Sequence, residues 1–369
     1  MVYLTPFFFI VFFIFIYDFG GKYPVRKPAY ILMLIWLVCI SGFQFEIGTD
    51  TEYYMLEFSD IPPLSQLESS DFLRLNRQPG WIIFFSFCKT ISADYSFFKI
   101  LQALFLNSAF FWFIWKYSKC PFVSLLLYAL LSFLPLNFET MRESFAIACF
   151  VFSFPFLEKG SYLKYYLGAL IALSFHISAI VLFVVPLLKF LRVNYTTTLR
   201  LIPLLLIFIV VLTIYPIDTH ILDLMFDERL AANASEYLEG QTKMSFPIFY
   251  LLIMAFEYII FLFYVKNGDD NQWLLRLFLF AFILSLFGRS LQIAYRFSRY
   301  FCVMDYVCTA SMVVFLSKKI AHGSIRTIIV LLIITIFTYS TVSSYFQYNT
   351  KIGGKRIDSY YPYKSIFDK

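Results

Sequence analysis

The sequence predicts an all-α polytopic membrane protein of about twelve transmembrane helices, and three observations carry that prediction. Hydrophobic residues make up 60% of the 369-residue chain, charged residues only 15%, and the mean hydropathy is +0.73. No soluble domain of this length hides so much apolar surface. Apolar runs of roughly 15 to 20 residues recur along the chain, about what crossing a ~30 Å hydrocarbon core requires. Heavy use of Phe (48) and Tyr (27) suits lipid contact and interfacial belts. With no internal repeat and no separate soluble segment, residues 1–369 read as a single integral membrane domain.

The spans are expected over residues 2–17, 29–45, 97–115, 121–136, 143–157, 162–175, 177–191, 199–215, 247–265, 274–290, 300–316 and 325–343. Several are short, as in tilted or broken helices around a cavity. Six short connections, 18–28, 116–120, 158–164, 189–200, 266–276 and 317–326, hold fifteen Lys and Arg, so that side is cytoplasmic. The long connections 46–96 and 216–246 and the tail 344–369 fall on the outer side, as do both termini. Residues 79–92, "PGWIIFFSFCKTIS", read as an interfacial or re-entrant helix with Lys89 at its polar side. Counting them as a span would turn the basic loops "KYSK" and "EKGSYLK" outward. The first apolar run lacks a basic n-region and a small-residue cleavage site, so no cleaved signal peptide is expected. All six cysteines lie within or beside apolar segments, without metal-binding spacing, and read as buried thiols with no disulfide.

With this orientation, ionisable residues collect at the outer mouth. Arg142 and Glu139 precede the fifth span, and His176 sits in the tight turn "SFHISA". Arg289, Arg296 and Arg299 follow in "GRSLQIAYRFSRYF". The first long loop adds Asp50, Tyr53, Tyr54, Arg77 and Trp81. Each has a plainer reading: Arg142 snorkelling to headgroups, His176 satisfied in the interior, Asp50 capping a turn. Arg296 and Arg299, three apart on one helical face, fit a lipid-phosphate anchor nearly as well as a substrate site. Together they are harder to dismiss, because an ionisable residue in a membrane segment costs ~2.5–3.5 kcal/mol on insertion scales.

Arginine forks match phosphate oxygens and can hold a diphosphate while negative charge grows on it as a leaving group. A nearby His or Asp can accept the proton of an attacking hydroxyl. That chemistry describes glycosyl transfer from a lipid diphosphate. There is no Gly-rich nucleotide loop and no HExxH or H-x-x-x-H signature, so neither a metal nor a cofactor is expected.

"GTDTEYY", "NRQPGW", "MRESFAIACFVFS", "SFHISAI", "YRFSRYF" and the terminal "YYPYKSIF" occur in the order seen in EpsG-like, Wzy-type polysaccharide polymerases, which the chain resembles from about residue 40 to its tail. The resemblance implies a GT-C-like fold in the bacterial inner membrane with its active face toward the periplasm. It also implies transfer of a growing glycan from undecaprenyl diphosphate to the non-reducing end of a newly flipped lipid-linked repeat unit. The partners it implies are therefore undecaprenyl-diphosphate-linked oligosaccharides as donor and acceptor, with membrane lipids around them. A chain-length regulator is a further candidate partner, and nucleic acid is not expected. Arg142 matches the arginine that opens the family's "R-[QE]-x-[LF]-A" helix, His176 the "fH-x-S-A" histidine, and Asp50 the aspartate of "G-x-D-x-x-Y". Two positions depart from the family: Gln44 stands where an arginine is common, and Gln78 where a glutamate is common.

The combined expectation is an inverting, metal-independent polymerase. Arg142, Arg296 and Arg299, with Arg289 as a further candidate, would bind the donor diphosphate, and His176 would be the general base, with Asp50 the alternative base or the residue that orients it. Arg77, Tyr53, Tyr54, Trp81 and Glu139 would line the acceptor path, with Glu139 and Glu143 steadying Arg142. The alternatives are a lipid-linked oligosaccharide flippase, expected to carry cations deep in its spans and only short loops, and an O-antigen ligase, whose deletion would abolish surface attachment rather than change chain length.

Overall fold

A computed structural model of the chain describes residues 2–20, 25–214, 248–267, 271–288, 292–320, 322, 324–349 and 353–368. Among these residues the regular structure is helical, apart from a two-stranded antiparallel ribbon pairing Tyr348–Asn349 with Gly354–Lys355. Helix is the expected outcome for such apolar runs, because it satisfies the backbone internally where no water is available.

The first helices are α1 (Leu4–Phe13), α2 (Arg26–Gly42), α3 (Thr51–Asp60), α4 (Ser69–Leu75) and α5 (Pro79–Ile91). They are followed by α6 (Tyr95–Tyr117), α7 (Pro121–Leu131), α8 (Met141–Glu158), α9 (Tyr162–Phe175) and α10 (Tyr195–Ile214). Later helices run Ile248–Asn267, Gln272–Gly288, Gln292–Arg299, Cys302–Ile320 and Ser324–Ser344. Local signals set several starts. Proline opens α5 and α7, where its missing N–H costs nothing. The Asp94 carboxylate caps α6 by accepting from Ser96 N at 2.9 Å.

Each of the twelve expected apolar stretches carries helical structure, but their lengths differ. Among the described residues, Tyr95–Tyr117, with 23 residues, is long and apolar enough to cross a membrane by itself. The pair Ile293–Arg299 and Cys302–Ile320, bent by 69°, qualifies only when taken together. Several other apolar helices have 10–17 residues. The count of twelve crossings therefore rests on the sequence alone, and the GT-C arrangement on what the resemblance implies. Residues 216–246, expected as the second outer loop, lie outside the described residues.

Residues 177–191 form two 3₁₀ segments, Ile177–Phe183 and Val185–Phe190, instead of one α-helix. Pro186 lacks the N–H that an α-helix would need, and Ile177, Ile180, Val181, Val184 and Val185 crowd the α-helical turn. The connection 46–96 is not an open loop. It folds into α3, α4 and α5, and Lys89 at the end of α5 donates to the carbonyls of Phe58 (3.0 Å) and Ser59 (2.6 Å). With 13 residues, α5 rises about 20 Å, short of a full crossing.

The chain forms two compact units, residues 1–186 with 306–369, and residues 187–305. In the first, α8 packs on α9 and α6, α2 on α6, and α1 on α7. Its aromatic core joins Tyr54 and Phe58 of α3, Trp81 and Phe85 of α5, Phe98 of α6 and Phe145 of α8. In the second, α10 packs on Ile248–Asn267, and Gln272–Gly288 packs on Gln292–Arg299. Gly288 permits the latter approach: a Cβ there would stand 3.0 Å from Tyr295 Cα.

Between α7 and α8 the chain makes a π-helical turn, Pro135–Glu139, whose backbone is held by a buried network that was not expected. Lys99 Nζ, fully buried, donates to the Asn137 carbonyl (2.6 Å) and to Gln102 Oε1 (3.0 Å). Asn107 Nδ2 donates to Asn137 Oδ1 (2.9 Å), and the Tyr128 hydroxyl donates to Asn107 Oδ1 (2.8 Å). These groups supply partners for carbonyls that a broken helix leaves open. Glu139 ends the turn they anchor, and Arg142 follows it in the first turn of α8.

Candidate functional site

Three helix ends meet in the first unit. A Cβ on Gly80, in the first turn of α5, would stand 2.2 Å from Ser174 Oγ near the end of α9. Phe175 of α9 stacks on Phe145 of α8, with centroids 5.3 Å apart and planes at 13°. Gln78, just before α5, accepts a hydrogen bond from Arg142 Nη1, in the first turn of α8, at 3.3 Å. Arg142, Gln78 and the His176 turn are thereby brought to one end of the helices.

Arg142 is placed against its local interest. A cation in the first turn of a helix meets the positive end of the helix dipole, at a cost of ~0.3–1 kcal/mol. Its Nε is buried without a hydrogen-bond partner among the described residues, and the Gln78 contact is to a neutral amide. The Tyr54 hydroxyl lies against the guanidinium, and the charges of Asp50 and Glu57 are within its electrostatic reach. Glu57 itself accepts from Arg77 Nε at 2.8 Å, with its side chain 6% exposed. Arg77 also lies over the exposed Tyr53 ring, 5.3 Å from its centroid.

Asp50 is exposed at the N-cap of α3. Desolvation and the Glu139 carboxylate raise its pKa above the usual carboxylate value, while Thr49, Arg142 and Arg356 pull it back. The turn that presents it is packed closely onto the bundle. Gly48, at φ +100°, would bring a Cβ within 2.5 Å of the Phe138 carbonyl, so only glycine fits there. Thr51 Oγ1 donates to that same carbonyl at 3.1 Å.

Glu139 corrects one expectation. It does not steady Arg142; it is gripped by the C-terminal segment. Arg356 Nε donates to Glu139 Oε1 at 3.1 Å, Arg356 Nη2 donates to Oε2, and the buried Tyr360 hydroxyl also donates to Oε1. The segment is fastened further by backbone bonds from Gly48 N to Ser359 O (3.0 Å), Phe45 N to Lys364 O (3.0 Å) and Ile366 N to Phe43 O (2.8 Å). Gln44 is buried, accepts Ile47 N–H at 3.0 Å and forms a β-bridge with Ser365. The two departures from the family pattern therefore have local uses: Gln44 joins the tail to the 44–48 turn, and Gln78 is the neutral acceptor for Arg142.

His176 is the N-cap of the 3₁₀ segment. Its Nδ1 accepts from the Ser178 backbone N–H at 3.3 Å and meets Ser178 Oγ. That arrangement assigns the neutral ring's proton to Nε2.

Trp81 and Tyr54 are corrected as lining residues. Trp81 is 0% and Tyr54 4% exposed, and both pack in the aromatic core; only Tyr53 of that trio, 51% exposed, faces outward. Arg296 and Arg299 occupy the last turn of Gln292–Arg299, in the second unit, and Arg289 lies outside the described residues. Among the described residues no three His, Cys, Asp or Glu side chains are grouped to hold a metal ion.

Arg356, Tyr360 and Glu57 were missed as site residues. The terminal "YYPYKSIF" motif signalled the tail, but nothing local connects residue 356 with residue 139.

Among the described residues the chain is strongly apolar and almost wholly helical, as a membrane protein is, with arginines and carboxylates gathered where several of its helices end. The EpsG family model matches residues 27–365, nearly the whole chain, and the chain belongs to the EpsG family. EpsG-like proteins are Wzy-type polymerases, which places it among glycosyltransferase-like membrane proteins of polysaccharide biosynthesis. Comparison with functionally curated proteins and with solved structures finds no match.

Proposed function

We propose that the protein extends a surface polysaccharide at the outer face of the bacterial inner membrane. It moves the growing glycan from undecaprenyl diphosphate to the non-reducing sugar of a lipid-linked repeat unit. The observation that carries this reading is Arg142: a half-buried guanidinium with a buried, unpartnered Nε, whose polar contacts are the neutral Gln78 amide and the Tyr54 hydroxyl, within electrostatic reach of the exposed carboxylate of Asp50.

In the proposed step, the acceptor hydroxyl oxygen attacks the anomeric carbon and the bond from that carbon to the diphosphate oxygen breaks, with inversion. The hydroxyl proton passes to Asp50. The charge gathering on the departing diphosphate is met by Arg142, whose fork is already desolvated and oriented. Of the two candidate bases, Asp50 suits the role better. A His176 ring protonated at Nε2 offers a donor there and has Nδ1 already occupied. His176 instead orders the turn beside the site, and exposed Tyr53 offers a ring face to a pyranose.

The test is reconstitution of the purified protein with a defined lipid-diphosphate repeat unit. A ladder of products supports the polymerase. Movement of the unit across the bilayer without any ladder would turn the case to a flippase.

A further inference from the structure

We infer that the C-terminal segment is a working part of the site, with Arg356 the positioning residue that keeps Glu139 away from Arg142 and so leaves Arg142 available to the substrate diphosphate. This rests on the proposed role of Arg142 as the diphosphate ligand.

Glu139 and Arg142 are three residues apart across the turn that opens α8. Glu139 is 6% exposed and so requires a compensating cation. Arg356 supplies it from 217 residues away with both arms of its fork, and Tyr360 adds a hydroxyl. Arg356 is held in place by its own surroundings. Its guanidinium lies over the Tyr345 ring at 5.1 Å from the centroid, and Ile357 N donates to Tyr345 O at 2.8 Å.

Asp50 is within electrostatic reach of Glu139, Arg142 and Arg356, while Glu57, also within reach of Arg142, has Arg77 as its own ion pair, so the acids and arginines around Arg142 balance. Remove Arg356 and two carboxylates are left with one arginine. Arg142 is then drawn into neutralising Glu139 and Asp50, and a diphosphate must compete with them for it. The tail thus sets donor binding without touching the donor.

The experiment is a double-mutant cycle on purified, reconstituted protein with a polyprenyl-diphosphate repeat unit, reading KM and kcat for the donor and the amount of folded protein. Arg356→Ala is expected to raise the donor KM on the order of 10- to 100-fold, the scale of one charge-assisted contact. Arg356→Lys keeps the charge and is expected to raise it less. In the Glu139→Gln background, where no second carboxylate competes, Arg356→Ala is expected to leave the donor KM at the value of Glu139→Gln alone.

An unchanged KM in Arg356→Ala overturns the inference. So does an equal KM penalty in both backgrounds, or a loss confined to the amount of folded protein that Glu139→Gln does not relieve. Arg142→Ala, measured alongside, separates the two ideas. If it leaves donor binding intact, the Arg142 reading itself is wrong; if it weakens binding while Arg356→Ala does not, only the role of the tail fails.

Discussion

Gly80→Ala tests how closely the site depends on the packing of α5 against α9. An added Cβ would stand 2.2 Å from Ser174 Oγ, 2.8 Å from the Ser174 carbonyl oxygen and 2.9 Å from its carbon. The hydroxyl is tied back to Ile171 O at 2.7 Å, and the carbonyl belongs to the helix itself. Restoring ordinary contact therefore moves α5 away from α9 by about 0.5 Å for the carbonyl and about 1 Å for the hydroxyl. Overpacking of this kind costs ~1–3 kcal/mol. Gln78 is two residues upstream, and its 3.3 Å bond to Arg142 has no slack for such a shift. Activity should fall about tenfold or more, since misplacement of ~1 Å costs catalysis up to ~100-fold.

The assay is glycan length in a deletion strain complemented with the variant, with Tm of the detergent-purified protein measured in parallel. Gly160→Ala is the control. Gly160 also needs its glycine, at φ +71°, but has nothing within 4 Å of its Cβ position and follows the opposite end of α8. It should lower Tm with chain length intact. Wild-type chain length and Tm in Gly80→Ala would refute the argument.

Five further outcomes are expected. Trp81→Ala should lose ~3–5 kcal/mol of stability, read as a loss of folded protein, whereas Tyr53→Ala should reduce elongation with normal Tm. Lys99→Met should lower Tm, since it leaves the Asn137 carbonyl buried without its 2.6 Å donor, a loss of ~1–3 kcal/mol. Arg77→Ala should destabilise by at most ~1–3 kcal/mol, because the buried Glu57 loses its partner while Arg77 itself is partly exposed; Arg77→Ala with Glu57→Gln should recover most of that loss in Tm.

The pH profile follows from Asp50, whose pKa is raised by desolvation and by Glu139. The base must be ionised, so activity is lost on acidification at a pH above the ordinary carboxylate value of about 4. Glu139→Gln should move that limb toward acid, and Arg356→Ala toward alkali. For stability the sign is opposite: the raised pKa favours the folded state most below the unfolded pKa, and that contribution fades as pH rises through the folded pKa. An acid limb that stays put in both variants would exclude Asp50 as the base.

What the sequence made legible was local. Hydrophobic runs announced where the helices lie, with the same bounds at 162–175 and shifted bounds elsewhere, because helix formation in apolar runs depends on near neighbours. Arg142 could be singled out because a cation opening an apolar helix is anomalous by itself. The pairing of Glu139 with Arg356 was not legible: 217 residues separate them, and each has closer opposite charges along the chain. Trp81 reads as exposed because an interfacial or re-entrant helix is expected to leave one face open, until α3, α5, α6 and α8 close around it. Residues 177–191 kept the hydrophobicity of a span, but Pro186 and the β-branched run changed the type of helix, which hydropathy does not register.

The most direct measurement is the product ladder made by purified protein reconstituted with a polyprenyl-diphosphate repeat unit, wild type against Arg142→Ala and Arg142→Lys. The wild type should give a ladder. Arg142→Ala should be slower by about 100- to 1,000-fold, the scale of removing one preorganised donor to a leaving group. Arg142→Lys should recover little, since a point charge lacks the planar fork. A full ladder from Arg142→Ala at normal protein level would contradict the account.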